Sequence, residues 1–263
     1  MELGVCVEMV LTDRSFEKRL QKVADLGVKN VEMWFVDASF KGSPDTLAAM
    51  ARKAGVRITN TVIGSPDGSV GGGLVDPASR AEWLARAKMT LAYTARAGIS
   101  NTIVCTGNVV PGMSDAAMQA AVVEGLKPTV ELAEKAGITL LLEPLNIRNH
   151  PGYFVTTSDT GAAICRALGS KRMKLLFDCY HMQIMAGDLV AQISRNIDVI
   201  GHFHMAGVPG RHEIFNNEID YRYVIGAIGQ MGYRGVLGLE YMPTGDHAVS
   251  LKKTLDYLRP VIR

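Results

Sequence analysis

The sequence alternates between strand-like and helix-like segments, and glycines repeatedly stand between a helix and the strand that follows. We expect helix-closing glycines at positions 27, 55, 98, 137 and 232, each shortly before an apolar or β-branched run. Glycine is favoured there because the residue after a helix often needs a positive φ. Strands that alternate with helices are joined by right-handed crossovers into a parallel sheet. The alternation therefore predicts an α/β fold.

Eight strand–helix units fit into the 263 residues, with no change of composition between them. This is the size of a (β/α)8 TIM barrel, and we predict one such single domain over residues 1–263. The expected strands cover residues 3–7, 31–35, 56–62, 102–105, 138–143, 174–178, 199–204 and 236–240. The alternative is an open doubly wound sheet, but no GxGxxG motif follows the first strand to support it.

Composition restricts the class of partner and the compartment. The formal net charge is +2, without a long run of either sign, so nothing favours binding to nucleic acid or to a membrane. No apolar stretch has the length of a membrane span, and the N-terminus shows no secretory signal. Four cysteines without CxxC spacing are typical of a reducing compartment. We expect a cytoplasmic protein.

The segment at residues 138–146 ends in a carboxylate that we expect at the mouth of the barrel. Its continuous apolar run is typical of a strand covered on both faces. Pro144 cannot donate to a strand ladder, so the strand should end at Glu143. In α/β barrels, the carboxyl ends of the strands carry the active site.

Three more potential metal ligands end the next three expected strands: Asp178, His204 and Glu240. The intervals from Glu143 are 35, 26 and 36 residues, about one strand–helix unit each. Since neighbouring parallel strands lie about 4.8 Å apart, the four side chains should converge. A single carboxylate after a strand is more often a helix cap or turn former. Four in succession predict a divalent metal site, because three carboxylates together need a cation.

The expected ligands indicate which metal ions suit the site, and nearby residues indicate which substrate groups it could bind. Oxygen ligands with one imidazole suit Mn²⁺, Mg²⁺ or Co²⁺. His181, in the expected loop after the sixth strand, is predicted to polarise a substrate oxygen or to cap the next helix. Arg211 suits a carboxylate or a vicinal diol, unless it only pairs with Glu213. Trp34 and Phe35 are expected either to wall a pocket or to pack in the core.

Glu32 is left out of the site because we expect it within a strand rather than at its end. The glycine-rich segment 64–75 is long, and we interpret it as a lid over the barrel mouth.

Several motifs between residues 138 and 245 resemble the xylose-isomerase-like barrel superfamily, and within it the hydroxypyruvate isomerase family. The matching segments are residues 143–148 (EPLNIR), 151–154 (PGYF), 178–185 (DCYHMQIM), 187–189 (GDL), 209–213 (PGRHE) and 238–241 (GLEY). The DxYHMQIM and PGRHE motifs are the specific ones. The N-terminal half resembles the family only in its general βα pattern.

The resemblance implies an isomerase that moves a proton on a small hydroxy-carbonyl compound through an enediolate. Conversion of hydroxypyruvate to tartronate semialdehyde is the leading reaction. Glu143 and Glu240 would bind the metal and act as the two proton-transfer groups. Asp178 and His204 would complete the metal site. The resemblance also implies a homodimer or homotetramer.

One position departs from the isomerase pattern and leaves alternatives open. The residue matching His204 is usually glutamine in hydroxypyruvate isomerases and histidine in the related ketose 3-epimerases. The second reading is therefore an epimerase of free ketoses such as D-tagatose, D-psicose or L-ribulose. A phosphodiesterase resembling endonuclease IV is a remote alternative, because its zinc cluster usually needs more histidines than the six present. A non-enzymatic sugar-binding barrel is the last.

Overall fold

Eight short parallel strands form the centre of the molecule. The computed structural model describes residues 1–262 of the chain. The strands are β1 (Glu2–Cys6), β2 (Asn30–Glu32), β3 (Arg57–Val62), β4 (Asn101–Val104), β5 (Thr139–Leu142), β6 (Met173–Asp178), β7 (Ile200–Met205) and β8 (Val236–Leu239). Each strand pairs with the next, and β8 pairs with β1, so the sheet closes. The predicted (β/α)8 barrel is confirmed, and the open-sheet alternative is wrong.

The helices surround this barrel. They are α1 (Phe16–Asp25), α2 (Pro44–Ala54), α3 (Arg80–Arg96), α4 (Asp115–Ala136), α5 (Ser158–Leu168), α6 (Cys179–Met185), α7 (Leu189–Asn196), α8 (Tyr221–Gln230) and α9 (His247–Leu258). Short 3-10 segments, Pro77–Ser79 and Arg259–Val261, precede α3 and follow α9. The five predicted closing glycines all have φ between 71° and 90°. Among the helices within residues 1–262, none is long and apolar enough to cross a membrane.

The interior of the barrel is divided into an apolar and a polar half. Val62, Ile103, Leu141 and Leu176, from β3 to β6, form an apolar cluster separate from the main core. Because side chains alternate along a strand, these residues share the inner face of the sheet. On the other side, β2 and β7 contribute buried polar residues, and β1 and β8 contribute glycines. The polar half lies beneath the expected metal ligands.

Two local differences from the predicted elements change the site. Strand β2 ends at Glu32 and not at residue 35, because the pairing with β3 shifts register between Val31 and Glu32. Trp34 and Phe35 therefore follow the strand. Residues 179–185 form α6 and not a loop, because the Asp178 side chain accepts hydrogen bonds from the first N–H groups of this helix. No turn separates β6 from α6.

Candidate active site

The four predicted ligands meet at one point at the carboxyl ends of the strands. Glu143 and Glu240 directly follow β5 and β8, while Asp178 and His204 lie at or near the ends of β6 and β7. One ligand atom from each side chain lies within 4.8 Å of the others, and all four residues are buried. His204 Nδ1 is 3.1 Å from Glu240 Oε2 and 3.5 Å from Glu143 Oε1.

The protonation of His204 shows that this point favours a cation. Its Nε2 lies 2.7 Å from Glu32 Oε2, and a carboxylate accepts, so Nε2 carries the proton. In the neutral ring, the Nδ1 lone pair then faces the carboxylates, and neither Nδ1 nor Glu143 Oε1 has a hydrogen-bond partner within residues 1–262. Burial opposes a charged ring, yet the Glu240 and Glu32 carboxylates raise the pKa of His204 well above its usual range.

These donors fit a divalent metal ion. Three carboxylates and one imidazole nitrogen are suitable ligands for Mn²⁺, Mg²⁺ or Co²⁺. An ion between the unpartnered atoms of His204 and Glu143 would remove the unfavourable contact of lone pairs. The residues present therefore fit the metal that the sequence predicts.

Asp178 is both a helix cap and a site residue. Its Oδ1 accepts from the backbone N–H groups of Tyr180 at 2.7 Å and His181 at 3.4 Å. Its Oδ2 lies 3.4 Å from Arg211 Nη2 and 3.5 Å from His181 Nε2. Burial raises the pKa of Asp178, although the Arg211 guanidinium opposes this. Oδ1 of Asp178 thus caps α6, as one interpretation expected, and the side chain also belongs to the cluster that could hold a metal ion.

Glu240 is held by donors on both oxygens. Trp34 Nε1 donates to Oε1 at 2.9 Å, and Arg211 Nη2 donates to Oε2. Burial disfavours its charge, but the His204 ring and the Arg211 guanidinium hold the pKa of Glu240 well below its usual range. Its carboxyl is thus ionised and fixed in orientation.

Arg211 lies inside the site and does not pair with Glu213. Its guanidinium also stacks over the Tyr180 ring, with the carbon 5.4 Å from the ring centroid. Glu213 instead accepts from Thr244 N at 2.9 Å and Ser250 Oγ at 2.8 Å. The interpretation of Arg211 as a solvent salt bridge is therefore wrong.

His181 lies in the first turn of α6, and not in a loop as expected. Its Nδ1 faces the backbone N–H of Asn146 at 3.0 Å, and its Nε2 has no hydrogen-bond partner in the part of the chain that the structure describes. Burial lowers the pKa of His181 well below its usual range, so the ring is neutral. The cap of α6 is Asp178, which excludes the capping interpretation of His181.

A cavity of about 210 Å³ opens beside the cluster. Glu143, His150, His181, Arg211 and Glu240 line its polar side. Its apolar side is lined by Trp34, Phe35, Val62, Ile103 and Leu145. Ser65 and Pro66, from the segment predicted to be a lid, also line it. Both aromatic residues thus wall the cavity, as one of the two interpretations expected.

Sequence reasoning missed three residues of this region: His150, which lines the cavity, and Glu32 and His202, which lie beneath the cluster. Glu32 was set aside because its strand was expected to continue to residue 35. The sequence did offer one signal for His202. Side chains alternate along a strand, so His202 and His204 share one face of β7, and a site residue at 204 indicates a neighbour at 202.

The chain is thus an eight-stranded α/β barrel with a buried carboxylate and histidine cluster, able to hold a metal ion, at the carboxyl ends of its strands. Residues 20–261 match the family model described as xylose isomerase-like TIM barrel. The chain belongs to this family.

Two relatives narrow the class of reaction. The chain is 35% identical to 2-oxo-tetronate isomerase of Cupriavidus necator over 69% of the chain and 70% of that protein. It is 27% identical to hydroxypyruvate isomerase of Escherichia coli (strain K12), over 90% of the chain and 92% of that protein. The protein is an enzyme of the isomerase class.

Solved structures show the same fold at lower identity. An AP endonuclease of family 2 from Brucella melitensis superposes with a TM-score of 0.89 at 24% identity, covering 100% of both chains. A D-psicose 3-epimerase, solved in the presence of D-fructose, superposes with a TM-score of 0.82 at 21% identity, covering 100% of this chain and 99% of the other.

Proposed function

We propose that the protein is a divalent-metal-dependent isomerase of a small hydroxy-carbonyl acid, with hydroxypyruvate to tartronate semialdehyde as the leading reaction. One observation carries the proposal: Glu143, Asp178, His204 and Glu240 surround one point at the edge of a small cavity. Relatives named for hydroxypyruvate and for 2-oxo-tetronate, both carbonyl acids, support this substrate class.

The chemical difficulty is to remove a proton from a carbon next to a carbonyl group. The product of that step, an enediolate, gathers negative charge on oxygen. A divalent ion held by Glu143, Asp178, His204 and Glu240 would act as a Lewis acid toward that charge.

The two glutamates are the proton-transfer groups of the proposal. One glutamate carboxylate takes the proton from the hydroxyl-bearing carbon, the other glutamate, as the neutral acid, gives a proton to the former carbonyl carbon, and the hydroxyl proton passes to the former carbonyl oxygen. This moves the carbonyl to the neighbouring position without any net change in atoms or electrons. Glu240 is ionised and oriented by Trp34 and Arg211, and Glu143 has a buried oxygen without a hydrogen-bond partner among the described residues. Both side chains line the cavity.

His181 and Arg211 serve the substrate oxygens in this scheme. The neutral His181 ring donates from Nε2, which has no partner among the described residues. A neutral donor polarises a carbonyl without giving up its proton. Arg211 carries N–H donors beyond those engaged with Glu240 and Asp178, and these suit the carboxylate of an acid substrate.

A ketose 3-epimerase is the second candidate, and His204 is the observation that favours it. In epimerisation, the proton leaves one face of the substrate carbon and returns to the same carbon from the opposite face. Two glutamates on either side of a planar enediolate serve this outcome as well. The fold shared with a D-psicose 3-epimerase is compatible with it.

Product analysis in D₂O tests the proposal. Chelator-stripped protein, reloaded with Mn²⁺ or Mg²⁺, is incubated separately with hydroxypyruvate, 2-oxo-tetronate, fructose, tagatose and ribulose. We expect an isomer of one acid that carries deuterium at the carbon receiving the proton, while the ketoses stay unchanged. Deuterated C3 epimers of a ketose, with the acids untouched, would instead establish the epimerase. No carbon-bound exchange with any of the five would contradict both.

A further inference from the structure

A carboxylate is buried inside the barrel, directly beneath the proposed metal ligands. Glu32 is 1% exposed, and the partners of its two oxygens are both histidines. His202 Nε2 lies 3.0 Å from Oε1, and His204 Nε2 lies 2.7 Å from Oε2. A buried charge of this kind is expensive unless it is paired, so its presence requires a reason.

The barrel leaves space for this carboxylate by using glycine on two neighbouring strands. A Cβ at Gly238 of β8 would lie 2.5 Å from Glu32 Oε1 and 2.7 Å from His204 Cδ2. A Cβ at Gly4 of β1 would lie 3.0 Å from Glu32 Oε1. Interiors of such barrels are normally filled by branched apolar side chains. In this barrel, the Glu32 carboxylate in contact with the His204 imidazole takes the place of such apolar packing.

A row of polar side chains lies on the side of Glu32 away from His204. His202 Nε2, which lies 3.0 Å from Glu32 Oε1, also lies 3.1 Å from Asn60 Nδ2. Asn60 Oδ1 in turn accepts from Asn101 Nδ2 at 3.0 Å. Glu32 Oε1 thus faces His202, while Oε2 faces His204.

We propose that Glu32 is a positioning residue that holds His204 with its proton on Nε2 and its Nδ1 free to bind the metal ion. The inference rests on the proposed metal site. An acceptor-only carboxylate at Nε2 requires an N–H at that atom, which leaves Nδ1 as the lone-pair donor. Carboxylates that accept from a metal-bound histidine also orient the ring and raise its basicity. Glu32 itself does not touch the cavity.

The same atoms permit a different reading, in which Glu32, His202 and His204 hold a second ion. Their ligand atoms also lie within 4.8 Å of one another. The two readings differ in stoichiometry: the positioning role requires one ion per chain, and the second site requires two.

Manganese binding is the test, read by the electron paramagnetic resonance of free Mn²⁺ and by metal analysis of dialysed protein. We expect one Mn²⁺ per wild-type chain and, for Glu32→Gln, binding weaker by about 10- to 100-fold. Thr61→Val is the matched control, because it removes a buried polar group that bonds Thr94 and Thr102 and not His204. This variant should lose stability and keep the wild-type Mn²⁺ affinity.

A double-mutant cycle separates positioning from general damage. If Glu32 acts through His204, the substitution Glu32→Gln should not weaken binding further in a His204→Ala background. Melting in EDTA establishes that each variant folds. If His204→Ala does not fold, ¹⁵N spectra of the Mg²⁺-loaded proteins decide: in the wild type, His204 should show a metal-bound Nδ1 and a protonated Nε2, and in Glu32→Gln this pattern should be weakened or lost.

The possible results of the Mn²⁺ measurements distinguish the proposed function from the positioning role of Glu32. A wild-type chain that binds no divalent ion would contradict the proposed function itself. Wild-type binding with an unchanged affinity in Glu32→Gln, or fully additive effects in the cycle, would overturn the positioning role alone. Two ions per chain would replace it with the second metal site.

Discussion

His181 and Asn146 are joined by two contacts at a single ring nitrogen. His181 Nδ1 accepts from the backbone N–H of Asn146 at 3.0 Å and faces the Asn146 side-chain nitrogen at 2.7 Å. Two donors at Nδ1 place the ring proton on Nε2. The tautomer that donates into the cavity is therefore set by the loop after β5.

Replacing Asn146 should change catalysis through this tautomer. In Asn146→Asp, a carboxylate beside Nδ1 draws a proton to that atom, so the neutral ring no longer donates from Nε2. We expect kcat to fall by about 100-fold, as for other lost donors to a developing oxyanion, with Mn²⁺ affinity unchanged. Asn146→Ala keeps the backbone donor and should lose less. Equal losses of kcat in both variants would contradict a role of the His181 tautomer in catalysis.

The two glutamates should be separable from the other carboxylates by their effect on turnover. Glu143→Gln and Glu240→Gln each remove a proton-transfer group while nearly preserving shape. At saturating Mn²⁺ we expect turnover to fall by about 100- to 10 000-fold in each variant. Glu218→Gln, an exposed change outside the cluster, is the control and should keep the wild-type rate. A metal-loaded Glu240→Gln enzyme with near-wild-type turnover would refute the two-glutamate scheme.

Metal loading should stabilise the fold because an ion relieves the repulsion among three buried carboxylates. With free Mn²⁺ at 100 times Kd, an ion that binds only the folded chain adds about 2.7 kcal/mol. For a chain of this size we expect Tm to rise by about 5–10 °C. The measurement is a melting curve in EDTA and in graded Mn²⁺. A Tm that does not move with Mn²⁺ would argue against an ion at this point.

The loop predicted to be a lid depends on the charge of Asp67. Its carboxylate accepts from Ser65 Oγ at 2.6 Å and Ser69 Oγ at 2.7 Å, and these bonds lower its pKa from 3.8 to about 2. Because the pKa of Asp67 is lower in the folded protein, the contribution of these hydrogen bonds to stability is complete above pH 3.8. It is lost as the pH falls through about 2.

Neutralising Asp67 should therefore loosen the loop at pH 7. Ser65 lines the cavity, so we expect Asp67→Asn to raise KM several-fold, with a smaller change in kcat. Asp25→Asn, an exposed aspartate bonded to Gln21 on α1, is the control. Steady-state kinetics of both variants provide the comparison. An unchanged KM in Asp67→Asn would dispose of the lid interpretation for this part of the loop.

The fold and the ligand cluster were accessible from the sequence because both are encoded locally. Each residue of the cluster lies at, near or just after the end of its own strand, and barrel closure brings equivalent strand ends together without further information. The pair formed by Glu32 and His204 is different, since 172 residues separate its members. Its geometry depends on a register shift in β2 that no local pattern marks. Helix α6 was missed because β6 leads into it without a turn.

The space around Glu32 gives a prediction with a matched pair of glycines. Neither Gly238 nor Gly226 has a φ that alanine avoids, but a Cβ at Gly238 meets Glu32 and His204, whereas a Cβ at Gly226 meets nothing within 4 Å. Overpacking a buried site costs about 1–3 kcal/mol, so Gly238→Ala should destabilise the protein by this amount. It should also weaken Mn²⁺ binding, because Glu32 and the His204 ring must move apart.

Gly226→Ala should instead stabilise the protein. It lies within α8, where alanine is favoured over glycine by about 0.5–1 kcal/mol. Urea unfolding in EDTA measures both stabilities without the contribution of the metal, and Mn²⁺ titration follows on the same samples. If Gly238→Ala loses stability but binds Mn²⁺ as tightly as the wild type, the space serves packing only, and the orientation of His204 does not depend on it.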